Sequence, residues 1–307
     1  MNYTVAIIII NHNTASYTLD CVKSIIEKTD TGISYQIILV DNASNTEDYL
    51  ILKAYIEKLN NRDITLFRSS INTGFGGGNM LGVQFANADY YAFVNNDTLF
   101  NNDCIATCLE FMNNTPDAAV CGPQILLSKK EQSQSFEHFL SLGKVFLGSS
   151  ALEKLAGKPK RKATYSTPIK VDYVNGSFMF CKAEDFNTIG GFDTNIFLFY
   201  EESDLCYRLK KNGKNTYFVP QALYIHYEGK SLKTNIKKKI ELKTSMLYVM
   251  QKNNGYISYL ITRYFLFIRY MLTALIKPKY FPLAKGLFTG LPLSKSLKQE
   301  QQIVKLK

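Results

Sequence analysis

Short apolar runs alternate with longer segments of helical apolar spacing over the first 123 residues of the chain. The run at residues 4–10, TVAIIII, is continuous and largely β-branched, which is typical of a strand buried on both faces. Further strands are predicted at 35–41, 64–69, 90–97 and 118–123, and helices at 15–29, 46–60, near 79–87 and at 102–113. Strands that alternate with helices predict an α/β fold with a parallel central sheet.

Polar residues stand where these predicted strands end. They are Asn11 to Asn13, Asp41 and Asn42, Arg68 to Asn72, and Asn95 to Asp97. Open parallel sheets bind their ligands beyond the carboxyl ends of the strands. We therefore expect these residues to share one edge of the sheet and to form a ligand site there.

The alternation is lost between residues 125 and 170. Hydrophilic stretches there, such as SKKEQSQS and GKPKRKATYSTP, predict an exposed and irregular loop. Residues 171–186 then predict a strand that leads into a short helix. Upstream, Thr46 is the expected N-cap of the second helix.

Positive charge is concentrated in the C-terminal quarter. The formal net charge is +10, and residues 229–307 hold 16 Lys and Arg against 2 Asp and Glu. An anionic membrane surface or a nucleic acid would suit that charge. The six cysteines form no Cys-x-x-Cys pair and lie mostly in apolar runs, which favours buried thiols in a reducing compartment over disulfides or a zinc site.

Three polar motifs each allow a structural and a functional interpretation. Asp41, in VDNAS, is either a turn residue or an acceptor for a nucleobase imide. The stretch 72–82, NTGFGGGNMLG, is either a flexible loop or a close backbone approach to a diphosphate or sugar at a helix N-terminus. The Asn-Asn-Asp end of the strand, at 95–97, is either a turn or a set of oxygen ligands for a divalent cation, with His226 as a nitrogen ligand if the ion is Mn²⁺.

The segment FLFYEESDLC, at 197–206, sets an aromatic run against three acids. Charged side chains are rarely buried without a partner, so these acids either face solvent or meet a cation. Ser203 is expected to cap a helix that stops at Gly213. Asp204 would lie in the first turn of that helix and pair with Arg208 one turn later.

Taken in chain order, these motifs resemble those of the family 2 glycosyltransferases of the GT-A fold, and in particular bacterial rhamnosyltransferase-like enzymes of surface polysaccharide assembly. They are Asn-x-Asn after the first strand, VDNAS, NTGFGGGN, NNDT, NGSFMF, GGFDTNIFLFYEESDLCYRLKKNG and HYEG. The long block at 190–213 is the most specific. The resemblance covers roughly residues 3–230 and implies an α/β, Rossmann-like nucleotide-diphospho-sugar transferase domain at residues 1–230. Residues 231–307 are expected, from their own charge and apolar spacing, to form a basic, amphipathic helical region.

The resemblance also implies a role for each matching residue. Asp41 would contact a uracil or thymine base, and Asp97 with His226 would hold Mg²⁺ or Mn²⁺. Glu202 would be the catalytic base. It stands where many members have Asp, and the metal motif is Asn-Asn-Asp rather than Asp-x-Asp. Further donor contacts would come from Asn11, Asn13, Asn72, Gly74, Gly78, Asn79 and Asn96, and orientation of the acceptor and its loop from Glu201 and Asp204.

The implied reaction inverts the configuration of the transferred sugar. The base takes a proton from an acceptor hydroxyl, whose oxygen attacks the anomeric carbon opposite the nucleotide, while a metal neutralises the departing diphosphate. The donor would be a dTDP- or UDP-sugar, with rhamnose as the candidate sugar. The acceptor would be a lipid-linked saccharide for cell-surface polysaccharide, and the enzyme would act in the cytoplasm on the inner face of the membrane.

The segment 255–277 is apolar and long enough to look like a membrane span, but its two arginines would be costly near the bilayer centre. Its polar residues fall on one helical stripe, which consists of Ser258, Thr262, Arg269 and Thr273. We therefore expect an amphipathic helix that lies in the membrane surface. The alternative is a helix packed on the protein's own core or on a second subunit of a homodimer.

Other functions fit the residues less well. A sugar-nucleotide pyrophosphorylase would need a glycine-rich basic loop after the first strand, where this chain has NHNTASY. A catalytically silent nucleotide-sugar or carbohydrate-binding module would not need the set Asp41, Asp97, Glu202 and His226. Nucleic acid is not expected as a partner, because the basic residues flank a strongly apolar helix that suits lipid better than phosphate backbone.

Overall fold

A computed structural model describes residues 2–127, 131–227 and 235–305. Within these ranges the strands are β1 Tyr3–Asn11, β2 Tyr35–Asn42, β3 Ile64–Ser69, β4 Ala88–Asn95, β5 Thr98–Phe100, β6 Ala118–Leu126, β7 Phe136–Glu137, β8 Ile169–Val171, β9 Tyr173–Val174, β10 Phe178–Lys182 and β11 Asn215–His226. The α-helices are α1 Ala15–Lys28, α2 Thr46–Leu59, α3 Gly74–Val83, α4 Cys104–Asn113, α5 Leu142–Leu147, α6 Ser149–Leu155, α7 Ala183–Thr188, α8 Glu201–Lys211, α9 Ile236–Asn254, α10 Tyr256–Ile276 and α11 Phe281–Thr289. Short 3₁₀ helices lie at Pro278–Tyr280, Leu293–Lys295 and Leu297–Glu300.

The central sheet has the strand order β3-β2-β1-β4-β10-β6-β11-β5, with β8 paired to β11. Strands β3, β2, β1 and β4 are parallel, as are β6 and β11, whereas β10, β5 and β8 run antiparallel to their neighbours. The predicted, mostly parallel α/β sheet is therefore confirmed. Its register sets Asn11 beside Asp41 and Asp41 beside Arg68, so these strand ends share one edge.

Both faces of the sheet are buried, as the continuous apolar run of β1 predicts. Val5, Ile7 and Ile9 point to one face and belong to the same core cluster as buried residues of α1. Ala6 and Ile8 point to the other face, because successive side chains of a strand alternate. This two-sided packing fixes the position of the polar strand ends beyond it.

The glycine-dense segment is helical from Gly74, whereas the sequence predicted a loop and a helix near 79–87. The reason is close packing of α3 on the sheet. A Cβ on Gly78 would lie 2.9 Å from Cδ1 of Ile10, and one on Gly82 would lie 2.5 Å from Cγ2 of Ile8. The glycines let this helix approach β1 more closely than any side chain would allow.

Two helix starts differ from the sequence prediction. Helix α2 is capped by Asn45, whose side chain accepts from the Asp48 N–H, so Thr46 is one residue inside. Helix α8 begins at Glu201 after Tyr200, and Ser203 lies within its first turn. Its predicted stop is confirmed, since the helix ends at Lys211, just before Gly213.

Residues 125–127 and 131–170, the described part of this region, are more ordered and more buried than predicted. They contain β7, α5, α6 and part of β8, and His138 is almost completely buried. The charges that indicated a solvent-exposed loop pair with one another instead. Arg161 lies 2.7 Å from the Glu137 carboxylate and 2.6 Å from that of Glu153.

The C-terminal helices α9, α10 and α11 form a third core. Met246, Met250, Leu266 and Leu287 are buried there together. The helical character predicted for residues 231–307 is therefore present in the described part. The proposed boundary after residue 230 and the end of the HYEG motif lie outside the described residues.

Helix α10 turns an apolar face outwards. Its exposed apolar residues recur at helical spacing; they are Ile257, Ile261, Tyr264, Ile268, Leu272 and Leu275. By length and composition this helix could cross a membrane. Of the predicted polar stripe, Thr262 is buried in the protein, and Arg269 lies at the border with the apolar face.

All six cysteines are buried and none is in a disulfide, as predicted. Burial raises the pKa of the Cys21 and Cys206 thiols to about 12 in each case. At neutral pH these groups are protonated and inert, so the thiols fill the core as small apolar side chains.

Candidate active site

The end of β1 anchors a buried polar cluster. Asn11 is fully buried, and its amide donates to Asp41 Oδ1 at 3.1 Å, Ser44 Oγ at 3.0 Å and Asp48 Oδ2 at 2.8 Å. The backbone N–H of Asn13, a residue in the left-handed region with a φ of 56°, also donates to Ser44 Oγ. Asn11 and Asn13 thus hold together the loops after β1 and β2, which border the expected nucleotide position.

Asp41 forms a buried ion pair with Arg68. The Arg68 Nε lies 3.2 Å from Asp41 Oδ2, and both side chains are almost fully covered. The guanidinium also donates to Ser44 O and stacks over the Tyr49 ring at 4.0 Å. Nη1 of Arg68 is buried without a hydrogen-bond partner in the described part of the chain.

The sequence placed Arg68 among the polar strand ends at the edge of the sheet but gave it no role of its own. A basic residue at that position was the available signal. The structure makes it the direct partner of Asp41. If Asp41 accepts a hydrogen bond from a nucleobase, the Arg68 guanidinium therefore lies directly beside that contact.

Asn42 and Asn72 organise the start of α3. The Asn42 side chain accepts from the N–H and hydroxyl of Thr73 and donates to Gly74 O, while Asn72 Oδ1 accepts from the Gly74 N–H at 2.9 Å. The Phe75 N–H donates to the carbonyl of Phe197 at 3.0 Å. These first amides already have protein partners, so they differ from the free helix N-terminus that the sequence predicted for a diphosphate.

The contact between the start of α3 and the Phe197 backbone requires a glycine at position 74. Its φ is +77°, and a Cβ there would lie 2.1 Å from the carbonyl oxygen of Phe197. The glycine stretch therefore joins the donor side of the site to the loop that carries the acids. Close packing within the protein accounts for these glycines: the neighbour is the Phe197 backbone at Gly74, and side chains of β1 at Gly78 and Gly82.

Three further predicted donor residues face inwards. Gly78 lies against Ile10, and the buried Asn79 amide donates to Phe75 O within α3. The Asn96 amide donates to the hydroxyls of Thr14 and Thr18 at 2.7 and 2.8 Å. In these positions they support the site's framework rather than line an open surface.

Asp97 and His226 meet, as the sequence predicted. Antiparallel pairing of β5 with β11 sets His226 opposite Thr98, and Asp97 Oδ1 lies 3.1 Å from His226 Nε2. Both side chains are mostly buried, yet each keeps some exposed surface. The other ring nitrogen, Nδ1, is buried and has no hydrogen-bond partner among the described residues.

This pair fits a divalent cation. Two ligand atoms that are each about 2.1 Å from an ion and at right angles about it lie about 3 Å apart. Asp97 Oδ1 and His226 Nε2 have this separation. The described residues include no group of three or more His, Cys, Asp or Glu that could hold a metal. Mg²⁺ and Mn²⁺ sites of nucleotide enzymes commonly complete their coordination with water and substrate phosphates, so two protein ligands are sufficient.

Glu202 follows a strained turn. Phe199 and Tyr200 have φ values of 74° and 71°, which are uncommon for bulky side chains and are found at functional sites. Burial raises the pKa of Glu202 to about 7, against the opposite effect of the Lys144 ammonium. The side chain keeps part of its surface exposed. A carboxyl with this pKa and this access is suited to take a proton near neutral pH.

Glu201 has a different environment. Its side chain is buried next to Gly76 of α3, and its Oε1 has no hydrogen-bond partner within the described residues. Burial, followed by the neighbouring Glu202, raises its pKa well above the usual range. The raised pKa favours the neutral form of Glu201, and the side chain lies beneath the loop, a placement that matches an orienting role rather than a surface charge.

Asp204 is fully buried and fully paired. Its carboxylate accepts from Arg208 Nε at 2.8 Å, as predicted, and from Lys252 Nζ at 2.9 Å. Arg208 also donates to the carbonyls of Ile189 and Gly191. Asp204 thus ties α8 to the glycine turn before it and to α9.

The strand end on the metal side and the Glu202 side chain both lie beside the turn before β10. The Asn95 N–H donates to Ser177 O at 2.9 Å, which joins the metal-side strand end to this turn. A Cβ on Gly176 would lie 3.7 Å from both the Glu202 carboxyl carbon and the Phe75 ring. The sequence predicted each group separately, and the sheet brings them to one edge.

Comparison with known proteins finds two curated relatives, both of them transferases by their printed names. Rhamnosyltransferase WbbL of Escherichia coli (strain K12) is 28% identical over 263 residues, which cover 81% of this chain and 93% of the relative. The low-salt glycan biosynthesis hexosyltransferase Agl10 of Haloferax volcanii is 26% identical over 184 residues, 59% of this chain and 55% of that protein.

Two solved structures share the fold. GalNAc-T7 with UDP, GalNAc and Mn²⁺ matches with a TM-score of 0.61 at 16% identity, over 81% of this chain and 48% of that one. The mannosyltransferase PcManGT from Pyrobaculum calidifontis, with GDP-Man and Mn²⁺, matches with a TM-score of 0.58 at 13% identity, over 96% and 87%. The family model for glycosyl transferase family 2 matches residues 6–189. The chain is therefore a glycosyltransferase of the GT-A fold and belongs to glycosyl transferase family 2.

Proposed function

We propose that this chain is an inverting glycosyltransferase that moves a sugar from a nucleoside diphosphate donor to a hydroxyl of a lipid-linked saccharide during glycan biosynthesis. The observation that carries the proposal is the pairing of two groups at one sheet edge. Asp97 and His226 lie 3.1 Å apart as a cation site, and Glu202 lies across the Gly176 turn from them with a pKa of about 7.

Glu202 serves as the general base. It accepts the proton of the acceptor hydroxyl as that oxygen bonds to the anomeric carbon, while the bond from that carbon to the donor diphosphate breaks. Because there is a single displacement, the configuration inverts. Asp97 and His226 hold Mg²⁺ or Mn²⁺, whose charge stabilises the leaving diphosphate.

The base of the donor is held near the ends of β2 and β3. Asp41 accepts from the base imide, and the free Nη1 of Arg68 donates to a base carbonyl or a phosphate oxygen. Uracil and thymine both have an imide between two carbonyls, so the donor is a UDP- or dTDP-sugar. Rhamnose is the candidate sugar, because the relative WbbL is a rhamnosyltransferase.

The acceptor side faces a membrane. The exposed apolar face of α10 and the excess of basic residues in its neighbourhood fit an anionic lipid surface. We assign the enzyme to the cytoplasm, attached peripherally to the inner face of the membrane. Pairing of the same face with a second copy of the chain is the competing explanation.

The donor can be identified by testing a panel of UDP-, dTDP- and GDP-sugars, each with Mn²⁺ and with EDTA. We expect one dTDP- or UDP-sugar to raise the melting temperature and to be hydrolysed slowly, in both cases only with the metal, since a ligand of the native state stabilises it. A silent binding module would show the stabilisation without any turnover.

The metal assignment is tested in the same panel with Asp97→Asn. This change keeps the size of the side chain and removes its charge, so we expect loss of metal-dependent turnover with the fold intact by circular dichroism. Asp89→Asn, on the exposed start of β4, is the matched control. Full activity of the wild type in EDTA would contradict the metal site.

A further inference from the structure

The turn between β9 and β10 consists of Asn175 to Ser177, the NGS of the NGSFMF motif. Asn175 Oδ1 accepts from the Ser177 N–H at 2.9 Å and from the Ser177 hydroxyl at 2.8 Å. The backbone N–H of Asn175 donates to Ser135 O at 2.9 Å. Since an N–H group donates only to an acceptor, the first of these bonds identifies which side-chain atom of Asn175 is the oxygen. The turn therefore fixes both the position and the orientation of this amide.

This turn is also held from strand β11. The Tyr224 hydroxyl lies 2.6 Å from Ser177 Oγ, and both side chains are buried. Because Asn175 Oδ1 can only accept, the Ser177 hydroxyl donates to it, and the Tyr224 hydroxyl is then the donor to Ser177 Oγ. Tyr224 precedes His226 by two residues on β11, so the two side chains leave the same face of the strand. The orientation of Asn175 is thus set by the strand that carries the candidate metal ligand.

The amide nitrogen of Asn175 has no role in the turn. Nδ2 makes no hydrogen bond to any residue that the structure describes, and it is not one of the fully buried polar atoms without a partner. By contrast, the side-chain amides of Asn11, Asn79 and Asn96 all donate within the protein. Asn175 therefore presents an accessible N–H donor whose direction is already fixed, which lowers the entropy lost when a ligand binds.

The turn contacts both sides of the candidate active site. The Asn95 N–H, at the strand end on the metal side, donates to Ser177 O at 2.9 Å. A Cβ on Gly176 would lie 3.7 Å from the Glu202 carboxyl carbon and 3.7 Å from Cζ of the Phe75 ring. In the proposed reaction the anomeric carbon lies between the diphosphate on the cation and the acceptor oxygen at Glu202. The sugar that is transferred must then lie beside this turn.

We propose that Asn175 Nδ2 donates a hydrogen bond to a hydroxyl oxygen of the transferred sugar and that Asn175 is a specificity-determining residue. This inference rests on the proposed function, and it assigns a contact to the sugar itself rather than to the nucleotide or the metal. A neutral amide donor suits a hydroxyl oxygen, and the neighbouring Phe75 ring offers an apolar surface for the C–H groups of a sugar. A site that hydrogen-bonds a hydroxyl discriminates against sugars that lack it.

The experiment measures binding to the full-length protein by calorimetry with Mn²⁺. The probes are dTDP-rhamnose and UDP-glucose, each compared with its sugar-free nucleotide, dTDP or UDP. Asn175→Ser is the main variant, because a serine hydroxyl can still accept from the Ser177 N–H but has no amide nitrogen. Asn61→Ser is the matched control, since Asn61 Oδ1 accepts from the Asp63 N–H at 3.0 Å in a turn of the same kind before β3. Ser177→Ala loosens the turn and keeps the amide nitrogen.

In Asn175→Ser we expect the Kd for the sugar nucleotide that the parent binds to rise about tenfold, with the Kd for the sugar-free nucleotide unchanged, because one hydrogen bond to the sugar is lost. Asn61→Ser should match the parent, and Ser177→Ala should raise the Kd much less. Three results would overturn the inference: an unchanged Kd in Asn175→Ser, an equal rise for the sugar-free nucleotide, or an equal rise in Ser177→Ala.

The parent protein separates this inference from the proposed function. A parent that binds dTDP or UDP but neither sugar nucleotide offers no contact to a sugar, which also overturns the inference. A parent that binds none of the four probes in Mn²⁺ contradicts the proposed function itself, and the role of Asn175 fails with it.

Discussion

Three acids within four residues have three different environments, and this separates their roles. Glu202 is partly exposed with a pKa of about 7, Glu201 is buried with a pKa raised well above its usual range, and Asp204 is buried and paired with Arg208 and Lys252. Residue type alone does not distinguish them. What distinguishes them is their position in the first turn of α8, where successive side chains point in different directions around the helix.

Glu202→Gln should lower kcat by about 10²–10⁴-fold, because a general base contributes on that order, while the donor Kd stays nearly constant. Glu201→Gln should cost less activity. Asp204→Asn should lower the melting temperature most, because Arg208 and Lys252 would lose their charged partner. Steady-state kinetics, donor calorimetry and thermal melts on the three variants test this. A well-folded but inactive Asp204→Asn beside a fully active Glu202→Gln would show that Asp204 is the base.

The rate should depend on pH through Glu202. A base acts only when it is deprotonated, and burial raises the pKa of this carboxyl, so its active form is lost at a higher pH than for an ordinary glutamate. We expect kcat to fall about tenfold per pH unit below pH 7 and to level off above it. The profile is measured from pH 5.5 to 8.5, with circular dichroism as the control for folding. A flat profile would exclude Glu202 as the titrating group.

At the scale of elements, the sequence predicted the central sheet better than the helices and loops that pack on it. The apolar run of β1 and the polar strand ends identified the sheet and the edge that holds the site. The sequence predicted a helix near 79–87 but not its start at Gly74, because glycine disfavours helices in isolation and here tertiary packing overrides that preference. The order of residues 131–170 was missed because charge patterns do not show which partners will meet, as Arg161 meets Glu137 and Glu153.

Packing of α3 predicts a large effect from one methyl group. Gly82→Ala would place its Cβ 2.5 Å from Ile8 Cγ2, so the helix must move off the sheet. We expect a loss of about 1–3 kcal/mol in the free energy of unfolding, as for other overpacked cores. The control is Gly32→Ala, whose Cβ would meet nothing closer than 3.5 Å. Urea denaturation compares the two, and equal stability of both variants would contradict the close packing.

At the scale of the whole molecule, the C-terminal helices are joined to the catalytic domain. The Ser245 hydroxyl of α9 donates to Leu198 O at 2.7 Å, and the N–H of Val304 donates to Ser70 O, just after β3. Removal of residues 255–307 would therefore expose a core as well as remove an apolar face. Point substitutions on α10 are the cleaner test of membrane binding.

Ile268→Ser combined with Leu272→Ser should reduce flotation with anionic vesicles at least about tenfold, because two large apolar side chains no longer enter the lipid. The matched control is Leu50→Ser with Ile51→Ser, a pair of similar exposure on α2. Donor affinity should stay unchanged in both. Equal flotation of the two double variants would contradict the lipid assignment. Loss of a dimer from Ile268→Ser with Leu272→Ser in analytical ultracentrifugation would then assign the face to self-association.

Because its native thiols are buried, this molecule is well suited to site-specific labelling at an introduced cysteine. Maleimide dyes react with thiolates, and every native cysteine is shielded within the core. A single cysteine introduced at Leu272 would therefore be modified selectively without first removing six others. A polarity-sensitive fluorophore there would shift to shorter wavelengths on entering a bilayer, and quenchers placed at known depths along the acyl chains would report how far the helix is immersed.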